Sequence, residues 1–178
     1  YDGNTEAEIN SNNLGLVNVV EGNTVNLNPV AAFSDKNVGE NKEVDLTASS
    51  IDNNTDYSLS LDGAPTTTND ITQKELTIDG SYTVNDKTYD GNKEASIDTN
   101  DLSLVGVVSG DEADVTLLPE LEFDNKEHGE NKTVSIIDSS SITGDESAYY
   151  SLSVTGAPTS IAAINLKPLT ITLQDKEK

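Results

Sequence analysis

Tyr57-Ser58-Leu59-Ser60-Leu61 and Tyr150-Ser151-Leu152-Ser153-Val154 carry the same alternation of apolar and polar side chains, 93 residues apart. Every second residue falls on one face, which is the period of a half-buried antiparallel strand. Val25 and Leu27 alternate in the same way with Asn26 and Asn28, as do Val115 and Leu117 in a later stretch. Val44 and Leu46 are matched by Val134 and Ile136. Gly, Asn, Asp and Pro clusters separate these runs at short, regular spacing, as in a sandwich or barrel. No long window shows a capped helical period, although residues 98–102 have room for one short helical turn. The reading is all-β.

Working outward, almost everything around these strands is also written twice. Tyr1-Asp2-Gly3-Asn4 returns as Tyr89-Asp90-Gly91-Asn92, and Leu16-Val17-Asn18-Val19-Val20 as Leu104-Val105-Gly106-Val107-Val108. Phe33 falls on Phe123, Gly39-Glu40-Asn41-Lys42 on Gly129-Glu130-Asn131-Lys132, and Gly63-Ala64-Pro65-Thr66 on Gly156-Ala157-Pro158-Thr159. The offset grows from 88 residues at the first tyrosines to 93 at Leu76 and Leu169, through insertions near Leu118-Pro119 and Thr143-Gly144-Asp145. These lie between periodic segments, where loops absorb length changes. A period this long belongs to an array of whole domains rather than a solenoid. The expected domains are 1–79, a first copy lacking its leading strand, and 80–178, a second copy with the start of the next joint.

Leu76-Thr77-Ile78 reads as the last strand of the first copy, continuing through Asp79-Gly80 into Ser81-Tyr82-Thr83-Val84 without a flexible linker. So short a joint favours an extended, semi-rigid rod. The tail Gln174-Asp175-Lys176-Glu177-Lys178 resembles the run before Tyr89, so a slice of a longer array is expected.

The chain has no cysteine, which removes disulfides, thiol chemistry and Cys-ligated metal. It carries 32 acidic residues against 10 basic ones, all lysine, for a net charge of −22. Nucleic acid and anionic membrane surfaces are repelled by such a chain. The charge also keeps copies apart, so a monomer is expected. Oxygen-rich binding of a divalent cation, Ca²⁺, is the sharper reading. Its candidate ligands are Asn85, Asp86 and Asp90, beside the joint and near Asp79. The competing reading makes Asp90 and Gly91 turn formers, with Asp90 bonding its own backbone and Gly91 supplying positive φ. No apolar run approaches a membrane span, and no signal peptide is visible.

Catalysis finds little footing. The single histidine, His128, sits on a Lys/Glu/Gly-rich loop, and its counterpart is Val38. A histidine so placed is ordinarily solvated surface. No phosphate loop or metal-spaced His cluster is present. Aromatics are 4% of the chain and Trp is absent, which makes a glycosidase cleft unpromising. No enzyme activity, catalytic residue or organic cofactor is expected. Lys42 and Lys132 precede core strands at equivalent places, where a buried Asn and acid would permit an isopeptide crosslink. Tyr82 and Tyr149 are the exposed aromatic candidates for stacking on a ligand.

With these residues in view, the chain resembles the YDG-type repeats of large bacterial surface proteins and filamentous adhesins. The matching features are Lys87-Thr88-Tyr89-Asp90-Gly91-Asn92, the run Leu104-Val105-Gly106-Val107-Val108-Ser109-Gly110-Asp111, Phe33 to Gly39, Tyr57-Ser58-Leu59 and Lys167-Pro168-Leu169-Thr170-Ile171. The second copy departs where Asn125-Lys126-Glu127-His128 replaces Asp35-Lys36-Asn37-Val38. A second resemblance concerns fold: Glu146-Ser147-Ala148-Tyr149-Tyr150, and less closely Asn53-Asn54-Thr55-Asp56-Tyr57, are similar to the tyrosine-corner approach of immunoglobulin-like sandwiches. The expected fold is therefore two tandem immunoglobulin-like β-sandwich domains in an extended rod. The alternative is a β-grasp-like mixed sheet, which needs a helix in each copy. The family resemblance implies an extracellular location on the bacterial cell surface. The function it implies is a non-catalytic stalk or spacer that projects a distal binding region, with neighbouring repeats of the same chain as partners. The alternative is an adhesin module recognising a host protein or glycan.

Overall fold

The computed structural model describes residues 1–52 and 56–172. In its first part the strands are β1 (Glu6–Ala7), β2 (Asn26–Asn28), β3 (Ala31–Phe33), β4 (Gly39–Asp45), β5 (Ser50–Asp52) and β6 (Thr67–Ile71). There follow β7 (Lys74–Asp79), β8 (Tyr82–Val84), β9 (Lys87–Thr88), β10 (Ile97–Asn100) and β11 (Ser103–Val105). The last are β12 (Thr116–Leu118), β13 (Leu121–Phe123), β14 (Gly129–Ile136), β15 (Ser141–Thr143), β16 (Tyr150–Leu152) and β17 (Thr159–Asn165). Among the described residues the only helical element is a 3-10 turn at Ser147–Tyr149, which leads into β16. The chain is all-β. Residues 97–100, where part of a helical turn had room, form strand β10 instead.

Two compact units divide the chain: Tyr1–Lys74 with Ala148–Tyr150, and Glu75–Ser147 with Ser151–Lys178. In the first, a sheet runs β1-β3-β4-β6, beside the pair β2-β5. In the second, the corresponding sheet runs β13-β14-β17-β9, beside β12-β15, and two further sheets form from β11-β7-β16 and β10-β8. β9 lies parallel to β17, while β13, β14 and β17 pair antiparallel. The sheet is thus mixed, but the helix that a β-grasp needs is absent from the described residues. Sheets packed over a shared core are compatible with a sandwich.

The repeat survives in backbone detail. Asn41 and Asn131 both sit at φ 52°, and each interrupts its strand's register between a glycine and a lysine. Asparagine is among the few non-glycine residues that tolerate this left-handed region. A bulge of this kind re-aims the side chains that follow it, and Lys132 is turned inward to 8% exposure.

The second unit's core is built on one face of its four-stranded sheet, from Leu121, Phe123, Val134, Ile136, Ala162 and Ile164. Ile78 of β7 and Tyr82 of β8 pack against it. Phe123 and Val134 are essentially sealed from water. Each such side chain contributes roughly 1.5–3 kcal/mol through burial.

Two expectations change at this point. Leu76-Thr77-Ile78 is not the last strand of the first unit, a place taken by β6. It forms β7, in the middle of the second unit's β11-β7-β16 sheet. The expected division after residue 79 therefore falls between Lys74 and Glu75. Alternation identifies a strand but does not say which sheet receives it. Tyr82, expected on the surface, is only 5% exposed, and its hydroxyl donates to the Val134 carbonyl at 2.9 Å. Tyr149 is half-buried. The Asn53-Asn54-Thr55 approach and the tail from Leu173 lie outside the described residues.

Candidate functional site

The duplicated Tyr-Asp-Gly-Asn turn is the feature most easily taken for a binding motif, and its hydrogen bonds say what it does locally. Asp90 accepts the Asn92 backbone N–H at 3.1 Å, with Gly91 at φ 90° between them. Asn92 in turn accepts the Glu94 N–H at 3.0 Å. The first unit repeats both: Asp2 accepts from Asn4 at 3.1 Å and Asn4 from Glu6 at 2.7 Å, with Gly3 at φ 85°. These are side-chain-closed turns, in which Asp and Asn mimic the backbone and Gly supplies the left-handed conformation. Tyr89 is anchored at both ends: its N–H donates to the Asn165 carbonyl at 2.9 Å, and its ring packs against the core.

Lys87 ties the turn together. Its Nζ donates to Asn92 Oδ1 at 2.7 Å, to the Glu94 carbonyl at 2.9 Å and to the Asn92 carbonyl at 3.1 Å. It pairs with Asp90 Oδ1 at 3.0 Å and lies 5.6 Å from the centre of the Phe123 ring. The Asn92 N–H and then the Lys87 ammonium hold the Asp90 carboxyl below its ordinary range.

The three residues read as calcium ligands are spent on different partners. The Asn85 side-chain amide faces Ser96 Oγ at 3.4 Å and the Ile97 carbonyl at 3.3 Å. Asp86 accepts the Ala163 N–H at 2.7 Å. Asp90 holds Lys87, so a cation there competes with an ammonium already in place. Among the described residues no group of three or more His, Cys, Asp or Glu side chains is gathered as a metal site. His128 is exposed on its loop.

The second lysine cluster went unread in the sequence as a network. Lys132 Nζ donates to Asn125 Oδ1 at 2.7 Å and meets Asp124 Oδ1 at 2.8 Å. In the first unit Lys42 pairs with Asp35, the counterpart of Asn125. The lysine hydrogen bond is the largest influence lowering the carboxyl of each aspartate. Lys132 Nζ is thus held by a hydrogen bond to Asn125 and an ion pair with Asp124. The cluster is a charge-assisted clamp across the β13–β14 loop. Its sequence signal was the shared Gly-Glu-Asn-Lys, which put a lysine at one bulge in both copies.

The YDG domain family matches residues 1–68 and again 72–160. The chain belongs to that family. The second YDG match takes in β7, in agreement with the place of Leu76 and Ile78 in the second unit. No curated protein and no solved structure matches the chain.

Proposed function

We propose that these YDG domains are non-catalytic structural repeats of a bacterial cell-surface adhesin, a stalk or spacer that projects a distal binding region. The observation that carries this reading is the use of the Tyr-Asp-Gly-Asn motif. In both copies its polar groups close the backbone of their own unit. A motif that recurs because each module needs it for folding suits a spacer, whose task is to be repeated. The link also fits: only Thr72 and Gln73 separate β6 of the first unit from β7 of the second. The net charge of −22 suits a crowded extracellular surface by keeping neighbouring faces apart.

Two measurements test the proposal together. Protease treatment of intact source cells should release fragments of this chain if it is displayed outside. The purified chain should give an elongated scattering profile and fail to bind matrix proteins and glycan arrays. Specific, saturable binding of a host glycan or protein favours the alternative adhesin module. That module's clearest candidate surface is the groove of about 580 Å³ beside Tyr89, Glu127, His128 and Leu166, because the loop carrying His128 differs between copies. Protection of the chain in intact cells would sink both readings.

A further inference from the structure

The two lysine clamps share a backbone but not a chemistry. Phe33 and Lys42 align with Phe123 and Lys132, so Ser34-Asp35 stands in the first unit where the second has Asp124-Asn125. The strands hold both pairs alike. The Ser34 N–H donates to the Glu43 carbonyl at 3.0 Å, and the Asp124 N–H to the Thr133 carbonyl at 2.9 Å. At this bulge the first unit gathers a lysine, an aspartate and a serine. The second gathers a lysine, a side-chain amide and an acid, with Lys132 only 8% exposed.

The Asp124 carboxylate spans two nitrogens. Its Oδ1 meets Lys132 Nζ at 2.8 Å, and its Oδ2 accepts from Asn125 Nδ2 at 3.2 Å. Asn125 Oδ1 receives Lys132 Nζ at 2.7 Å and the Glu127 N–H at 3.0 Å. Donors on this oxygen and an acceptor on the nitrogen agree on which end of the amide is which. The same donors draw electrons from the carbon between them and stabilise an oxyanion formed there. We infer that Lys132 and Asn125 join in an isopeptide bond, a covalent crosslink across the β13–β14 loop, with Asp124 as the proton relay.

The step balances within the cluster. Asp124 Oδ1 takes one proton from the Lys132 ammonium, and the freed lone pair bonds to Asn125 Cγ. Asp124 returns that proton to Nδ2, which lies against its other oxygen. The Cγ–Nδ2 bond then breaks, and ammonia leaves with the surplus proton of Nζ as ammonium. The protein loses one positive charge, and no oxidant, cofactor or second chain takes part. Contact between the reacting groups replaces a diffusive encounter. Closure is slow, because only chains in which the proton has moved from Lys132 to Asp124 react, and Lys132 holds the Asp124 carboxyl below its ordinary range. A freshly purified chain is therefore the ion-paired form, and the bond accumulates on standing.

Intact mass spectrometry and tryptic mapping of the whole chain, followed from fresh protein through prolonged incubation at neutral pH, provide the test. The mass should fall by one ammonia. Trypsin should stop cutting after Lys132, and the fragment ending at Lys126 should stay joined to the one that holds Lys132. Lys132→Arg keeps a cation beside Asp124 and should keep its full mass, as should Asn125→Ala. Asp124→Asn should close roughly a hundredfold more slowly. The double variant S34D/D35N builds the same trio beside Lys42, and with a native circular dichroism spectrum it should lose a second ammonia. A clamp that only holds the loop in place moves none of these readouts. A chain that keeps its full mass throughout overturns the inference. So does ammonia loss that survives Lys132→Arg, that leaves the two fragments separate or that runs equally fast in Asp124→Asn, and so does a folded S34D/D35N chain that loses no second ammonia.

Discussion

Leu76→Ala is the substitution that weighs most on the assignment of β7. Leu76 is fully buried at the centre of the β11-β7-β16 sheet. The fit is close: a Cβ placed on Gly106 would lie 3.5 Å from Leu76 Cδ2 and 3.3 Å from the Glu75 carbonyl oxygen. The change removes three carbons, worth about 2.4 kcal/mol at roughly 0.8 kcal/mol each. The cavity left behind adds to this, since measured Leu→Ala changes in cores run to about 2–5 kcal/mol. A loss of about 3–4 kcal/mol is therefore expected, confined to the second unit. Native-state amide exchange reads it unit by unit, because protected amides near Phe123, Val134 and Ile164 report the second unit and those near Ala31 and Val44 the first. Leu169→Ala in the monomeric chain, the same residue in the same motif, should cost under about 0.5 kcal/mol, as surface changes usually do. If protection falls in the first unit, or if Leu76→Ala costs less than about 1 kcal/mol, the placement of β7 is wrong.

The remaining predictions concern particular bonds. Tyr82→Phe removes the hydroxyl bonded to the Val134 carbonyl and should lower stability in urea by about 1–1.5 kcal/mol. Gly80→Ala should be far worse than Gly91→Ala: both are at positive φ, but a Cβ at Gly80 meets the Asp101 oxygen at 2.2 Å, whereas at Gly91 nothing lies within 4 Å. Thermal melts should show about 1 kcal/mol for Gly91→Ala, the cost of the left-handed backbone alone, and a much larger loss for Gly80→Ala. The Asp124 carboxyl, held below its ordinary 3.8 by Lys132, contributes stability above that value and loses it as pH falls through the lowered one. Carbon-detected NMR titration should therefore find Asp124 returning towards 3.8 in Lys132→Met, while Asp35, held by Lys42, is unmoved. Calcium should shift the melting temperature by less than about 1 °C, because the Lys87 ammonium already occupies Asp90; a saturable rise of several degrees would restore Asn85, Asp86 and Asp90 as ligands.

The strands were readable because each exposes one face and buries the other, and the period of two is written in single residues such as Tyr150, Leu152 and Val154. The duplication added register, so a strand found in one copy located its twin. What the letters did not carry was membership. Leu76-Thr77-Ile78 looks the same whether it closes one domain or opens the next, since the choice depends on partners more than twenty residues away in β11 and β16. Tyr82 was misplaced for a related reason. Its neighbours Ser81 and Thr83 are polar, and only the position of the Val134 carbonyl reveals an interior partner for its hydroxyl. Lys42 and Lys132 were legible as a matched pair of candidate buried lysines, but their partners were not, because the bulges at Asn41 and Asn131 that turn them towards Asp35, Asp124 and Asn125 leave no mark in the spacing.

Because β7 belongs to the unit that follows it, the period of the sequence and the period of folding are out of phase. Counted from tyrosine to tyrosine, one repeat begins at β9's end; counted by packing, it begins at β7, some fifteen residues earlier. Recombination that inserts or deletes a whole period leaves this phase untouched wherever the crossover falls, since every β7 still meets a β11 and a β16. An exchange that respects the Tyr-Asp-Gly-Asn landmark but swaps in a different preceding segment would instead give a unit another module's strand. The fit between one module and the segment before it is therefore decided at Leu76 and Ile78, the two buried positions of β7.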